Sequence, residues 1–349
     1  MKTLFLLILA CSLSYCIPSY SRESIDISGT DTIIPVNKNA TPEVLELLHY
    51  LYSISGKKML TAQHENLGKM SRMTDSIFKY TGKKPAIWGG EFGFSDSTHD
   101  IDNIAYRVKL VPEIIKQRKD GAIIILTYHQ ANPIVGEPCP FEGGVISKLN
   151  EQQWKDLLTP GTEIFKKWAA QMDILASYLK QLQKENIPVL FRPYHEMNGS
   201  WFWWGGNKSQ NGTAALYRQL FHYFNEVHKL NNLIWLWTPD KPWHGLKEFF
   251  PGNEYVDILG SDIYPEKDTS VVYRKEWYDE MVRLAGHKPL ALTEGSILPD
   301  EQLILQQNKW IWMMAWTDML LDFNSKDRII QFYNSDKTIS RDELPKWKH

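Results

Sequence analysis

The sequence predicts an α/β protein folded as one (β/α)8 TIM barrel, and three observations predict it. Eight short apolar runs alternate with helix-length segments between about residues 58 and 318 of the 349-residue chain. The runs are nearly continuous in apolar residues, as parallel strands buried on both faces require. Nearly every run also ends in a residue capable of chemistry: His64, Glu91, His129, Glu196, Asp240, Tyr264, Glu294 or Trp316. Barrels gather such ends at one face and reserve the other for stability.

The elements follow in order. "TPEVLELLHYLYSISGKK" is an amphipathic helix leading into the first strand, "KMLTAQHE" (58–65). The next three strands are "PAIWGGEFG" (85–93), "AIIILTYHQ" (122–130) and "IPVLFRPYHE" (187–196). Between the last two lies the long helical segment "EIFKKWAAQMDILASYLKQLQKEN". Before that helix, "ANPIVGEPCPFEGGVISKLNEQQWKDLLTPGTE" shows little regular pattern, and loops that long in a compact domain tend to be functional. It is expected to wall off one end of a cleft, as is "GEFGFSDSTHDIDN" after the second strand. The second half supplies "LIWLWTPD" (233–240), "VDILGSDIY" (256–264), "PLALTEGS" (289–296) and "WMMAWTD" (312–318). Arg192 and Glu196 share strand parity, as do Asp262 and Tyr264, Leu292 and Glu294, and Met314 and Trp316. Alternation therefore sends each functional end toward the axis. No repeat or linker divides the chain, so residues 41–345 form a single domain.

Residues 1–16 ("MKTLFLLILACSLSYC") have the basic start and short apolar run of a secretory signal, too short to span a bilayer. Residues 17–40 form an irregular lead-in. Cys11 and Cys16, two of the three cysteines, are candidate lipoprotein acylation sites, the one membrane attachment expected. Cys139 is then the only cysteine of the mature domain, so no internal disulfide is expected. The protein is expected in the periplasm or at the cell surface, as a monomer. Hydrophobic residues make up 43% of the chain, ample for a large core, and the formal charge is −2, which argues against nucleic acid as a partner.

One segment carries most of the chemistry. "RPYHEMNGSWFWWG" (192–205) sets a carboxylic acid beside an imidazole and then places Trp201, Trp203 and Trp204 within four residues. Sugar rings present apolar faces with polar rims, which indoles beside hydrogen-bonding groups complement. The three indoles cannot all stack on one ligand, and at least one packs on the loop. Glu196 and Glu294 end the fourth and seventh strands, on opposing walls of a barrel. Glycosidic cleavage needs one carboxyl group to protonate the leaving oxygen and a second to attack carbon or activate water. A retaining mechanism requires the pair about 5–5.5 Å apart, within the reach of two glutamates.

Other readings remain. A lone strand-end glutamate is more often a structural ion-pair partner; two on opposing strands among aromatics favour catalysis. Trp235, Trp237 and Trp312 lie within strands and are expected in the core, and His222, His228, His244 and His287 at the surface. His64, His129 and His195 are the candidate ligands of a metal-dependent barrel hydrolase, although the first strand end "AQHEN" carries one histidine rather than a His-x-His pair. No G-x-S-x-G supports a serine nucleophile. A non-catalytic glycan-binding lipoprotein keeping only the aromatic groove is the alternative from a different class.

"RPYHEMNGSWFWWG", "GSDIYP", "LTEGS" and "MAWTD", in this order, resemble glycoside hydrolase family 26, the β-mannanases, over about residues 45–335. The resemblance implies a retaining enzyme acting within β-1,4-linked mannan, galactomannan or glucomannan, without cofactor or metal. It implies Glu196 as acid/base and Glu294 as nucleophile. It further implies that His195 orients the acid/base and sugar, Tyr264 hydrogen-bonds the nucleophile and Arg192 supports the carboxylates. His129, Trp201 and Trp316 would contact the flanking sugars, with Asp262 nearby. Relatives of such enzymes include mannobiose-releasing forms and β-glucan or β-xylan hydrolases, which stay open. The acid/base needs a raised pKa, from burial or the Glu294 charge, while the nucleophile stays ionised.

Overall fold

All eight apolar runs form strands in the computed structural model: β1 Met59–His64, β2 Ile87–Glu91, β3 Ile123–Tyr128, β4 Val189–Pro193, β5 Leu233–Trp237, β6 Ile258–Ile263, β7 Leu290–Gly295 and β8 Trp310–Trp316. The structure describes residues 33–96, 101–242, 245–266 and 272–347. The expected signal, the lead-in up to residue 32, His244 and part of the loop after β2 lie outside these. Each strand pairs in parallel with the next, and β8 returns to β1 from Leu60↔Trp312 to His64↔Trp316, so the barrel closes. Every residue of β1 to β7 is buried, which explains why these runs read as continuous rather than alternating.

Alternation still sorts the side chains. Phe191 of β4 and Trp235 of β5 meet edge to face at 5.4 Å, and Phe224 and Phe221 cover them from the helical layer. Arg192, the next residue of β4, therefore faces the barrel interior.

The helical layer comprises α1 Pro42–Ile54, α2 Arg72–Thr81, α3 Asn103–Lys119, α4 Glu151–Leu157, α5 Glu163–Lys184, α6 Thr213–His222, α7 Lys275–Ala285, α8 Glu301–Gln306, α9 Met319–Phe323 and α10 Lys326–Asn334. The Thr162 hydroxyl starts α5 by accepting from Phe165 N at 3.2 Å. Its buried stripe, Trp168, Met172, Leu175, Leu179 and Leu182, recurs at helical spacing. None of the described residues between β5 and β6 forms an α-helix; two short 3₁₀ turns connect those strands. Among the described residues no helix is long and apolar enough to cross a membrane.

Three differences from the sequence expectation have local causes. The long segment after β3 contains α4, started by a capping box between Asn150 and Gln153. β4 stops at Pro193, which has no N–H to extend the ladder, and Tyr194 then turns with φ +46°. Beyond the expected strands, Thr338–Ile339 pairs with Met59 and Leu60, below the stretch from Ala62 where β1 pairs with β2.

Candidate active site

The expected site residues gather at the C-terminal ends of the strands, and the fully buried Arg192 is at their centre. Its Nη1 donates to Asp262 Oδ2 at 2.7 Å, its Nη2 donates to Glu294 Oε2, and its Nε donates to Thr127 Oγ1 at 3.3 Å. Asp262 accepts on its other oxygen from Thr293 Oγ1 at 2.8 Å, and Tyr264 OH donates to Glu294 Oε1 at 2.6 Å. Both Glu294 oxygens thus meet donors.

Strand parity does not produce this arrangement. Thr293 and Glu294 are consecutive, yet both reach the Arg192–Asp262 pair. Pairing between β6 and β7 slips from Ser261↔Leu292 to Asp262↔Glu294, and this bulge re-aims the strand end. Gly260 leaves the necessary space, since a Cβ there would lie 2.4 Å from the Thr293 methyl.

Glu196 does not reach the site by strand alternation either. It sits three residues beyond β4 with φ +51°, held by its N–H donating to Thr238 O at 2.7 Å. Left-handed backbone at a non-glycine residue costs on the order of 1–3 kcal/mol and persists only where surroundings impose it. Its Oε2 accepts from Trp201 Nε1 at 2.7 Å. A Cβ on Gly199 would lie 2.3 Å from the Trp201 ring, so the glycine breaking the aromatic run is what lets the indole lie over the turn. Burial first, then the Glu294 and Asp240 charges, push the Glu196 pKa up to about 8 against the pull of Trp201 and Arg192. The site therefore pairs a carboxylate held by donors with a carboxylic acid that keeps its proton at neutral pH.

The remaining residues form one wall. His129 accepts or donates at both ring nitrogens, Nδ1 with Glu91 Oε2 at 2.7 Å and Nε2 with His195 Nε2 at 2.9 Å. Burial and the nearby Arg192 charge hold His64 and His195 well below the usual imidazole range, so both are neutral. His64 stacks on Trp316, centroids 3.8 Å apart. Trp201, Tyr264 and Trp316 stay partly open to the cleft, whereas Trp203 and Trp204 are buried, donating to Gln130 O at 2.9 Å and His195 O at 2.8 Å. Two of the three clustered indoles are thus core, and only Trp201 is free to meet a sugar. Trp235, Trp237 and Trp312 are core as expected; His222 and His287 are exposed and His228 half-buried.

The three histidines that raised a metal reading do converge. Among the described residues, however, no group of three or more His, Cys, Asp or Glu has the geometry to hold a metal ion.

Several neighbours went unassigned from sequence. Glu91 orients His129, and its strand-end position was the available signal. Phe94 and Phe141 pack at 4.8 Å beside His129, and as loop residues they carry no periodic signal. Phe141 belongs to the segment after β3, which Arg107 pins by donating twice to Glu137 at 2.6 Å. Phe141 thus places that segment beside His129.

Residues 36–343 match the profile described as glycosyl hydrolase family 26. A mannan endo-1,4-beta-mannosidase of Bacillus subtilis strain 168 is 31% identical over 315 residues, covering 82% of this chain and 83% of that protein. GH26A from a Muricauda species is similar in structure, with a TM-score of 0.82 and 39% identity over 88% of this chain and 99% of that one. The mannanase man26 of Bacillus subtilis superposes with a TM-score of 0.74 at 26% identity, over 90% and 97% of the two chains.

Proposed function

This chain belongs to glycosyl hydrolase family 26 and is a glycosidase, and from that premise we propose that it cleaves β-1,4-mannosidic linkages within mannan chains by double displacement. Glu294 is the nucleophile and Glu196 the acid/base. One observation carries the assignment: Glu294 is held by Arg192 and Tyr264, while Glu196 beside it is pushed up to about 8.

In the first step Glu294 attacks the anomeric carbon as Glu196 gives its proton to the departing glycosidic oxygen, leaving a glycosyl ester on Glu294. Esterification removes the Glu294 charge, so the Glu196 pKa falls and its carboxylate becomes the base the second step needs. Water then loses a proton to Glu196 and attacks the same carbon, which frees Glu294 and restores the acid. His129, His195, Trp201 and Trp316 bind and orient the sugars on either side, whereas Asp262, expected near the sugars, is fully buried with both oxygens taken by Arg192 and Thr293 and instead holds Arg192 in place. The signal-like start supports action in the periplasm or at the cell surface, on polymer too large to cross a membrane.

Glu294→Ala and Glu196→Ala are expected to lower turnover on galactomannan by about a thousandfold or more while the circular dichroism spectrum is retained. Near-normal activity of either variant would remove the assignment. A reducing-sugar assay that detects no hydrolysis by the unmodified protein would instead favour a glycan-binding role, and loss of activity with chelator a metal hydrolase. Product analysis on mannohexaose separates two modes of action: mannobiose alone means that the segment after β3 closes one end of the cleft, and a spread of lengths removes that role and leaves an open, endo-acting cleft.

A further inference from the structure

We propose that Asp240, at the C-terminal end of β5, is a positioning residue for the acid/base, its carboxylate being the fixed negative charge that keeps the proton on Glu196. The proposal deepens the preceding assignment and rests on Glu196 being the proton donor.

The turn carrying Glu196 is tied to the end of β5 at three points. Glu196 N donates to Thr238 O at 2.7 Å. Asn198, two residues on, accepts from Asp240 N at 2.8 Å and donates to Asp240 O at 3.1 Å. From the other side, Asp240 forms a bridge with Asp262, whose N–H donates to Pro239 O at 3.0 Å. The two acidic residues therefore share one rigid backbone frame.

The side chain of Asp240 is 7% exposed, yet among the described residues its only cation is Lys241, with Nζ 3.7 Å away. A pair that loose, with the lysine partly in water, contributes little stability. A structural ion pair is thus a poor reason to bury this carboxylate. The other charged groups facing Glu196 are already engaged. Glu294 from β7 and Asp262 from β6 share Arg192 of β4; Tyr264 from β6 donates to Glu294; and His195 is neutral. Asp240 is the carboxylate left with its charge directed at the pair, and it raises Glu196 after burial and Glu294 do. Burial raises Asp240 itself and the Glu294 charge adds to the rise, while Lys241 works against it through its ammonium and its backbone N–H.

The test is the alkaline limb of the kcat/KM profile on a defined manno-oligosaccharide. Asp240→Asn removes the like charge, so the Glu196 pKa falls and the limb moves to lower pH, by about half a unit or more. Lys241→Met unmasks the Asp240 charge and moves the limb to higher pH. Opposite shifts support the proposal; a limb unmoved in either variant, or shifts of the same sign, overturns it. If Asp240→Asn does not fold, the Lys241→Met profile decides alone, since methionine keeps most of the bulk of that half-buried side chain and removes only its charge. Glu196→Ala assayed on an aryl mannobioside with a good leaving group separates the two claims. Persistence of the limb there would defeat the acid/base assignment itself, whereas its loss leaves Asp240 to stand or fall on its own profiles.

Discussion

Trp201 illustrates how much one side chain sets at this site. Its N–H on Glu196 stabilises the carboxylate, so Trp201→Phe removes a donor, raises the Glu196 pKa and moves the alkaline limb to higher pH, away from about 8. Gly199→Ala should act in the same direction, because its methyl would displace the indole; both are read from pH profiles. Arg192 carries more weight. Arg192→Met leaves Asp262 and Glu294 buried side by side without their cation, at a cost of about 3–5 kcal/mol measurable by urea denaturation, with turnover abolished. The residue types were legible from sequence, because carboxylates, histidines and indoles at strand ends are an unusual surplus of chemistry. Their aim was not. Glu196 points inward from a left-handed turn and Glu294 from a bulge, and neither device follows from residue parity. Trp203 and Trp204 could not be told from Trp201 either, since burial depends on what the rest of the chain places over them.

At the scale of elements, α2 depends on a residue outside it. Glu65 accepts from Met73 N at 3.0 Å, Thr74 N at 2.8 Å and Thr74 Oγ1 at 2.7 Å, so a buried carboxylate just past β1 satisfies the first turn of the helix. Glu65→Ala orphans these donors and should cost about 2–3 kcal/mol in chemical denaturation, with the barrel still formed. The strands themselves were legible to within about three residues, because burial on both faces leaves a continuous apolar run with few competing interpretations. α4 was not, since a two-turn helix in a long connection offers too few apolar repeats. Its one signal was the Asn150-to-Gln153 spacing of its capping box.

At the scale of the whole molecule, the C-terminal segment completes the bottom of the barrel. Thr338–Ile339 pairs with β1, and Arg341 donates to Pro85 O at 3.0 Å, Gln117 Oε1 at 2.8 Å and Asp120 Oδ2 at 2.7 Å, joining β1, β2 and α3. A chain ending at Asp336 is expected to melt about 5 °C or more lower by circular dichroism, from loss of several such bonds. Closure of the opposite end fixes the balance of charge in the cleft. Among the described residues Arg192 is the one cation against both Asp262 and Glu294, and Lys241 stands only loosely against Asp240, so acidic groups are in surplus over cations in the unliganded cleft. A sugar mimic whose ring nitrogen is protonated would neutralise that surplus, as the cationic carbon does fleetingly during bond cleavage. Such an iminosugar should bind far more tightly than its neutral lactam counterpart, and Glu294→Gln should abolish most of the difference.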